Sequence, residues 1–277
     1  MQGWGNLVGS LQASAARSRT LSRLAVKLKG QCDSIIGRRL SSGIKLETNG
    51  EGWLADRIAP TSRLFVDVGA NVGDWSLYFA RQMPEPNGLL FEPAPITAKR
   101  LTEAVAASRL EGLAVITAAV SDSPGAAKFS AEPECGETSS LVLGHSQKDA
   151  TTVDVTVVTL DQVLAERGIA TVDMLKIDAE GFDLRVLNGA RDYLSRRRIK
   201  VIQFEYNSPW AAAGSTLASA YGLLEGYGYT VRVLRGDGLW KFDPTSVGEF
   251  YRYANFVAWV PDASCFGLEE ATNGVLL

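Results

Sequence analysis

The amino-acid sequence predicts an α/β protein built on a doubly wound, mostly parallel sheet. Two observations carry this. From Arg63 onward, short apolar runs alternate with segments of helical period, an order that calls for right-handed crossovers between parallel strands. The composition is that of a globular unit: 277 residues, 46% hydrophobic and 21% charged, with 27 glycines and 10 prolines. Such usage excludes disorder, a collagen-like repeat or a coiled coil as a description of the whole chain.

Residues 64–68 read as a buried strand, followed by a glycine turn and a helix over 74–82 that Pro84 ends. A second strand spans 88–92, a second helix 95–108 and a third strand 113–120. An insertion follows: 126–131, 136–143 and the alternating strand 153–157. Thr159 caps a short helix over 160–167. A fourth strand at 172–178, a helix at 184–196 and a fifth strand at 200–206 come next, then a helix at 216–226 and strands at 230–234 and 254–260. No internal repeat or low-complexity linker divides residues 51–277, so they are read as one domain.

Residues 1–50 differ and are read as a basic helical arm. Up to Lys45 there are eight basic residues (Arg17, Arg19, Arg23, Lys27, Lys29, Arg38, Arg39, Lys45) and one acid, Asp33, which leaves 20 basic and 30 acidic residues for the body. Leu21, Leu24, Ala25 and Leu28 recur at helical spacing with Arg23, Lys27 and Lys29 interleaved. Such a helix packs on the domain through its apolar face, or docks on an anionic membrane surface or a partner. The whole chain carries a net charge of -3 and a pI near 5.4, which argues against a nucleic-acid binder. Three cysteines (Cys32, Cys135, Cys265) without metal-ligand spacing read as reduced thiols. No apolar run reaches the roughly 20 residues of a membrane helix, and the start lacks a signal-peptide layout. The expected location is therefore cytoplasmic, with peripheral attachment to the inner face of the membrane as an option for the arm. Oligomeric state is left open.

The informative segment is Asp67-Val68-Gly69-Ala70-Asn71-Val72-Gly73, where a strand runs into a helix. Gly69 permits a sharp turn, Gly73 a close approach, and the helix start offers free N–H groups to a polar ligand. The spacing is not G-x-G-x-x-G, which disfavours a dinucleotide pyrophosphate. Asp67 suits a ligand with an ammonium group. Glu92 ends the next strand, 25 residues later, where its carboxylate can accept two ribose hydroxyls. Lys176-Ile177-Asp178-Ala179-Glu180-Gly181 ends the fourth strand, and Glu205-Tyr206-Asn207 the fifth. Strand carboxyl ends line the ligand crevice of an open sheet, so Asp178 and Glu180 are aimed at chemistry. Glu180 serves equally as compensation for a helix N-terminus.

These segments resemble a known family. Asp67 to Asp74, Phe91-Glu92-Pro93, Ala119 to Asp122, Thr138 to Leu141, Val158 to Asp161 and Leu175 to Gly181 occur in the order seen in the FkbM-type methyltransferases, class I enzymes that use S-adenosylmethionine. The likeness runs from about Arg63 to Asn207, with a similar tail to Val260, and omits the arm. It implies a Rossmann-like fold, a seven-stranded sheet with an antiparallel last strand and helices on both faces. It implies that Asp67, Gly69, Ala70, Asn71 and Gly73 hold the methionine side of the cofactor, Glu92 the ribose, and Ser121 and Asp122 lie near the adenine. Asp178 would face the transferred methyl, with Glu180, Ser139 and Ser140 near the acceptor. The family methylates oxygen, mostly hydroxyls of secondary metabolites and of sugars in glycans or lipids. Ala179 stands where valine is commoner, a small packing change.

The expected activity is thus O-methyl transfer from S-adenosylmethionine to a small-molecule or glycan hydroxyl. A sulfonium methyl is already activated, so the protein must align and desolvate, and a base must receive the hydroxyl proton. With one histidine in the chain, Asp178, Glu180 and His145 are the candidates, His145 being also a plausible surface residue. Alternatives are a metal-assisted transferase with Asp178, Glu205 and Asn207 as ligands of magnesium or calcium, a reading that is not favoured, a non-catalytic protein of the same fold, and an NAD-dependent oxidoreductase.

Overall fold

The central strands of this chain are buried along their whole length, as parallel strands must be when helices cover both faces. The computed structural model describes residues 2–131, 141 and 151–277. It begins with helices α1 (Gln2–Ala16), α2 (Arg19–Leu40) and α3 (Glu51–Ile58) and enters strand β1 (Phe65–Val68). Next come α4 (Asp74–Ala80), β2 (Gly88–Phe91), α5 (Pro95–Ser108) and β3 (Leu113–Ile116). A small insertion of β4 (Ala119–Val120), β5 (Gly125–Ala131) and β6 (Thr151–Val158) precedes α6 (Leu160–Glu166) and β7 (Val172–Ile177). The second half runs α7 (Asp183–Asn188), α8 (Arg191–Ser195), β8 (Ile199–Tyr206), α9 (Pro209–Ala212), α10 (Leu217–Gly226) and β9 (Thr230–Arg235). It closes with β10 (Gly238–Lys241), α11 (Pro244–Val247), β11 (Ala254–Trp259) and β12 (Thr272–Val275).

Among the described residues the main sheet has the order β12-β10-β9-β11-β8-β7-β1-β2-β3. Seven consecutive strands, β9-β11-β8-β7-β1-β2-β3, match the expected seven, with β11 antiparallel to both β8 and β9. Two further strands, β10 beside β9 and β12 at the edge, extend it beyond expectation. They are only 4 residues each and carry no clear alternation, so nothing in their sequence announces a strand.

Two expected elements are cut in the structure. The strand at 113–120 breaks where Ala118 N–H turns back to Ile116 O at 2.9 Å, and Ala119–Val120 joins a separate three-stranded sheet beside β6. The helix at 184–196 becomes α7 and α8. At their junction Gly189 lies so close to the Ser121 carbonyl that a Cβ would sit 2.1 Å from its oxygen. Thr159 does cap α6, accepting from Gln162 N–H at 3.2 Å.

The arm is two helices, because Ser18 stops α1 and caps α2 through Leu21 N–H at 3.4 Å. Only the last turn of α2 packs on the domain. Leu40 is fully buried, Gly37 lies against the Arg252 side chain, and Arg39 Nε donates to Leu276 O at 3.3 Å. The Arg235 guanidinium in turn donates to the Arg39 carbonyl. Upstream, Leu21, Leu24 and Leu28 stay exposed, so the helix expected there does not pack on the domain through its apolar face; the packed turn lies beyond it. Among the described residues no helix is long and apolar enough to cross a membrane.

Candidate active site

Four strands, β1, β2, β7 and β8, end in acidic residues at the same edge of the sheet. Register explains the grouping: β1 pairs in parallel with β2 on one side and β7 on the other, and Asp67 stands opposite Lys176. After Val68 the chain must turn sharply. Gly69 does so at φ +86°, against the Asp178 carbonyl, where a Cβ would lie 1.9 Å from the oxygen. Gly69 and Ala70 N–H both donate to Phe91 O, at 3.0 and 2.9 Å. This ties the loop to the end of β2 and so to Glu92.

Glu92 is buried and accepts Asn71 N–H at 3.1 Å on one oxygen and Ala94 N–H at 2.9 Å on the other. Each oxygen retains a second lone pair for a ligand hydroxyl. Burial pushes its carboxyl up to about 7, and the two backbone hydrogen bonds offset only part of that. Asn71 holds a left-handed conformation at φ 48°, which asparagine tolerates better than most residues.

Lys176 is the cation in the middle. Its ammonium is buried, donates to Asp178 Oδ2 at 3.0 Å, lies 4.0 Å from Asp67 Oδ1 and sits over the Trp75 ring at 5.8 Å. Burial alone would lower its proton affinity, but Asp178, Asp67 and Glu51 together outweigh that and hold it well above the ordinary lysine value. Asp67 accepts the Ser76 hydroxyl at 2.5 Å through Oδ2, while its buried Oδ1 lacks a hydrogen bond. Burial pushes Asp67 up to about 6 in spite of Lys176.

Beyond Asp178 lies a concentration of carboxyls. Glu180, also left-handed at φ 48°, and Glu205 are bridged by Asn207, whose amide N–H group donates to them at 2.9 and 2.7 Å. Asp178, Glu180 and Glu205 can present one oxygen each within 4.8 Å of one another. Burial, then the charge of Asp178, pushes Glu180 up to about 8, and burial with the neighbouring acids holds Glu205 well above the usual carboxylate range. Asp183, fully buried behind them with Gly181 N–H on Oδ2 at 3.2 Å, is likewise raised to about 8 by burial.

These groups share one cavity of about 830 Å³, within the ~300–1,000 Å³ usual for small-molecule sites. Asp67, Gly69, Ala70, Asn71, Glu92, Asp178 and Glu180 all line it, as does Glu205. Gly73, at φ +95°, stands behind the loop against Leu101. Ser121 and Asp122 do not line it. The wall there is Ala118, Ala119 and Val120, while the Ser121 hydroxyl donates to Asp122 at 3.3 Å and Asp122 faces Arg185 at 3.7 Å. Asn207 is not among the lining residues and bridges Glu180 and Glu205 through its amide N–H group. Ser139, Ser140 and His145 lie outside the described residues; Leu141, between them, lines the cavity.

Sequence reasoning missed several lining residues. Trp75 and Phe129 bring aromatic surface, and Tyr253 comes from just before β11. Ile44, Lys45, Leu46, Glu47 and Asn49 belong to the segment read as arm, yet they form part of the wall. Asn49 is buried and donates to the Tyr253 hydroxyl at 3.1 Å. A signal existed only for Lys176, a lysine among Met174, Leu175 and Ile177 of a buried strand.

The polar atoms left over fit a ligand that both donates and accepts hydrogen bonds. Asp67 Oδ1, Asn71 Oδ1 and Trp75 Nε1 are buried on lining residues without a hydrogen-bond partner. Unmet buried groups are costly, and a polar ligand is what relieves them.

Residues 67–231 match the family model described as Methyltransferase FkbM domain. Methyltransferase sdnD of Sordaria araneosa is 31% identical over 158 residues, covering 47% of this chain and 61% of its own length, so the chain spans under two thirds of that relative. The 31-O-demethyl-FK506 methyltransferase FkbM of Streptomyces tacrolimicus is 30% identical over 192 residues, covering 60% of this chain and 72% of that one. Among solved structures, a precorrin-6y C5,15-methyltransferase from Geobacter metallireducens GS-15 superposes with a TM-score of 0.42 at 13% identity, over 75% of this chain and 86% of that chain. The family match takes in the glycine loop, Glu92, Asp178, Glu180 and Glu205 alike, and the chain belongs to the FkbM-domain methyltransferases.

Proposed function

We propose that this chain methylates a hydroxyl oxygen, using S-adenosylmethionine, on a secondary metabolite or on a sugar of a glycan or glycolipid. The observation that carries this is the single cavity in which the glycine loop and Glu92 stand at one end and the trio Asp178, Glu180 and Glu205 at the other. The relative from Streptomyces tacrolimicus, whose name gives a 31-O-demethyl compound as its substrate, supports oxygen as the acceptor atom.

The cofactor supplies an electrophilic methyl on a sulfonium centre. Asp67, Gly69, Ala70 and Asn71 would hold its amino-acid end and Glu92 its ribose, with Ala119, Val120 and Phe129 as an apolar wall for the base. Asp178, in an ion pair with Lys176 at 3.0 Å, stands where a cation would be bound. Glu180 lines the cavity two residues on and is the group best suited to take the acceptor's proton, since its value near 8 lies close to a working pH. A cation held in the cavity would lower that value and favour the carboxylate that can take up the proton.

A second reading is favoured by the closeness of the three acidic side chains: they could hold a magnesium-like ion that lowers the hydroxyl's own pKa. The test is methyl transfer from labelled S-adenosylmethionine to a panel of hydroxylated acceptors, with and without EDTA. Turnover that survives chelation supports the carboxyl base. Loss restored by magnesium supports the ion, and cofactor binding without turnover on any acceptor supports a non-catalytic protein.

A further inference from the structure

The arm carries a surface that the active site does not use. In α2, Leu21, Leu24, Leu28 and Ile35 recur at spacings of 3, 4 and 7 and so share one face of the helix. None is covered: they are 48%, 51%, 55% and 68% exposed, and Val8 and Leu11 of α1 are exposed as well. A row of large aliphatic side chains left in water over four turns has a cost, and such patches mark contact surfaces. Lys27 and Arg38 border this face on one side and Lys29 on the other, Arg19 and Arg23 lie farther round the helix, and all five are exposed, with Arg17 just before them. The helix contains one acid, Asp33, already paired with Lys29 at 2.7 Å.

We infer that α2 lies along an anionic lipid bilayer, with its leucine face among the acyl chains and its basic flanks at the phosphates. Charge decides between the candidate occupants. A second copy packed face to face on this helix would bring two sets of like-charged flanks together, which is unfavourable. The body after Lys45 has 20 basic against 30 acidic residues and is itself repelled by an anionic surface, so attachment must go through the arm. Free apolar face, basic flanks and little acid are the composition of helices that rest in the interface plane rather than span it. The attachment leads directly to the cavity: Leu40 ends α2 in the core, and Ile44 to Glu47, a few residues on, line the wall. The docked helix therefore holds one rim of the site near the lipid surface.

The experiment is sedimentation of the full chain with vesicles of phosphatidylcholine alone, or with one third phosphatidylglycerol, at low and at half-molar salt. The expected result is binding to the anionic vesicles, weaker by at least about tenfold on neutral vesicles and again at high salt. Two double variants of exposed residues, Leu24→Asp with Leu28→Asp and Arg23→Glu with Lys27→Glu, should each lose binding about tenfold or more while binding S-adenosylmethionine as the parent does. Lack of binding to anionic vesicles, or binding unchanged by both variants, overturns the inference. So does a parent that sediments as a dimer and that the leucine variant converts to monomer, since the face is then covered by a second copy.

Discussion

Glu92 and the trio around Asp178 are where single side chains decide the outcome. Glu92 holds the loop through Asn71 N–H and lines the cavity. Glu92→Ala is expected to weaken S-adenosylmethionine binding by roughly 2–4 kcal/mol, the loss of charge-assisted hydrogen bonds, as calorimetry on the folded variant can measure. Asp178→Asn is expected to leave cofactor binding within about tenfold while turnover falls by about 10²–10⁴, because Lys176 then faces one acid fewer beside the reacting groups. Near-normal turnover would remove Asp178 from the mechanism. Glu180→Gln tests the base itself. In the parent, kcat/KM for the donor should rise as the pH passes about 8, since this ratio reports the free enzyme. The glutamine variant should be slow and should lack that limb.

At the level of elements, two junctions carry the site. The turn at Gly69 brings β1 against the end of β7, with no room for a side chain beside the Asp178 carbonyl. Gly69→Ala combines a positive φ with that clash, and a loss of roughly 2–4 kcal/mol in a denaturant titration is expected, with cofactor binding lost along with it. The second junction is the end of α2. Leu40 is fully buried in the main core although it precedes the domain in sequence. Leu40→Ala should cost about 2–5 kcal/mol, the usual range for a truncated core leucine. A truncation that keeps Ile36 to Leu40 should melt as the full chain does, whereas removal of residues 1–40 should lower Tm.

Over the whole molecule, the concentration of buried acids makes stability depend on pH in an unusual direction. Asp67, Glu92, Glu180 and Asp183 have folded-state values of about 6, 7, 8 and 8, all above their ordinary values of 3.8 or 4.5. The folded protein therefore holds protons that the unfolded chain has released. That contribution is complete below about pH 4 and is lost as pH rises through about 6 to 8. The ligand-free protein should be less stable at pH 8.5 than at pH 6, by an amount on the order of a few kcal/mol. Saturation with a cationic ligand should flatten the slope, because positive charge in the cavity compensates the ionised acids. Thermal melts across this range, with and without S-adenosylmethionine, measure both effects; a stability that rises with pH would show that these groups are ionised in the folded protein.

What the sequence determined by itself is local and periodic. The alternation of apolar runs and helices dictated the parallel core, Thr159 the cap of α6, and the glycine loop after Asp67 a turn whose residues line the cavity. Those signals are legible because strand burial, capping and left-handed turns depend on residues a few positions apart. Tertiary structure decided the rest. Lys176 acquires meaning only when strand register sets it between Asp67 and Asp178, and Glu180 becomes a base candidate only when the end of β8 brings Glu205 and Asn207 alongside. Ile44 to Glu47 reach the cavity because Leu40 anchors α2 in the core, a contact across more than two hundred positions at Arg39 and Leu276. Proton affinities shifted by burial, and an apolar helix face left in water, arise from the surroundings a folded chain makes, and no short stretch of sequence contains them.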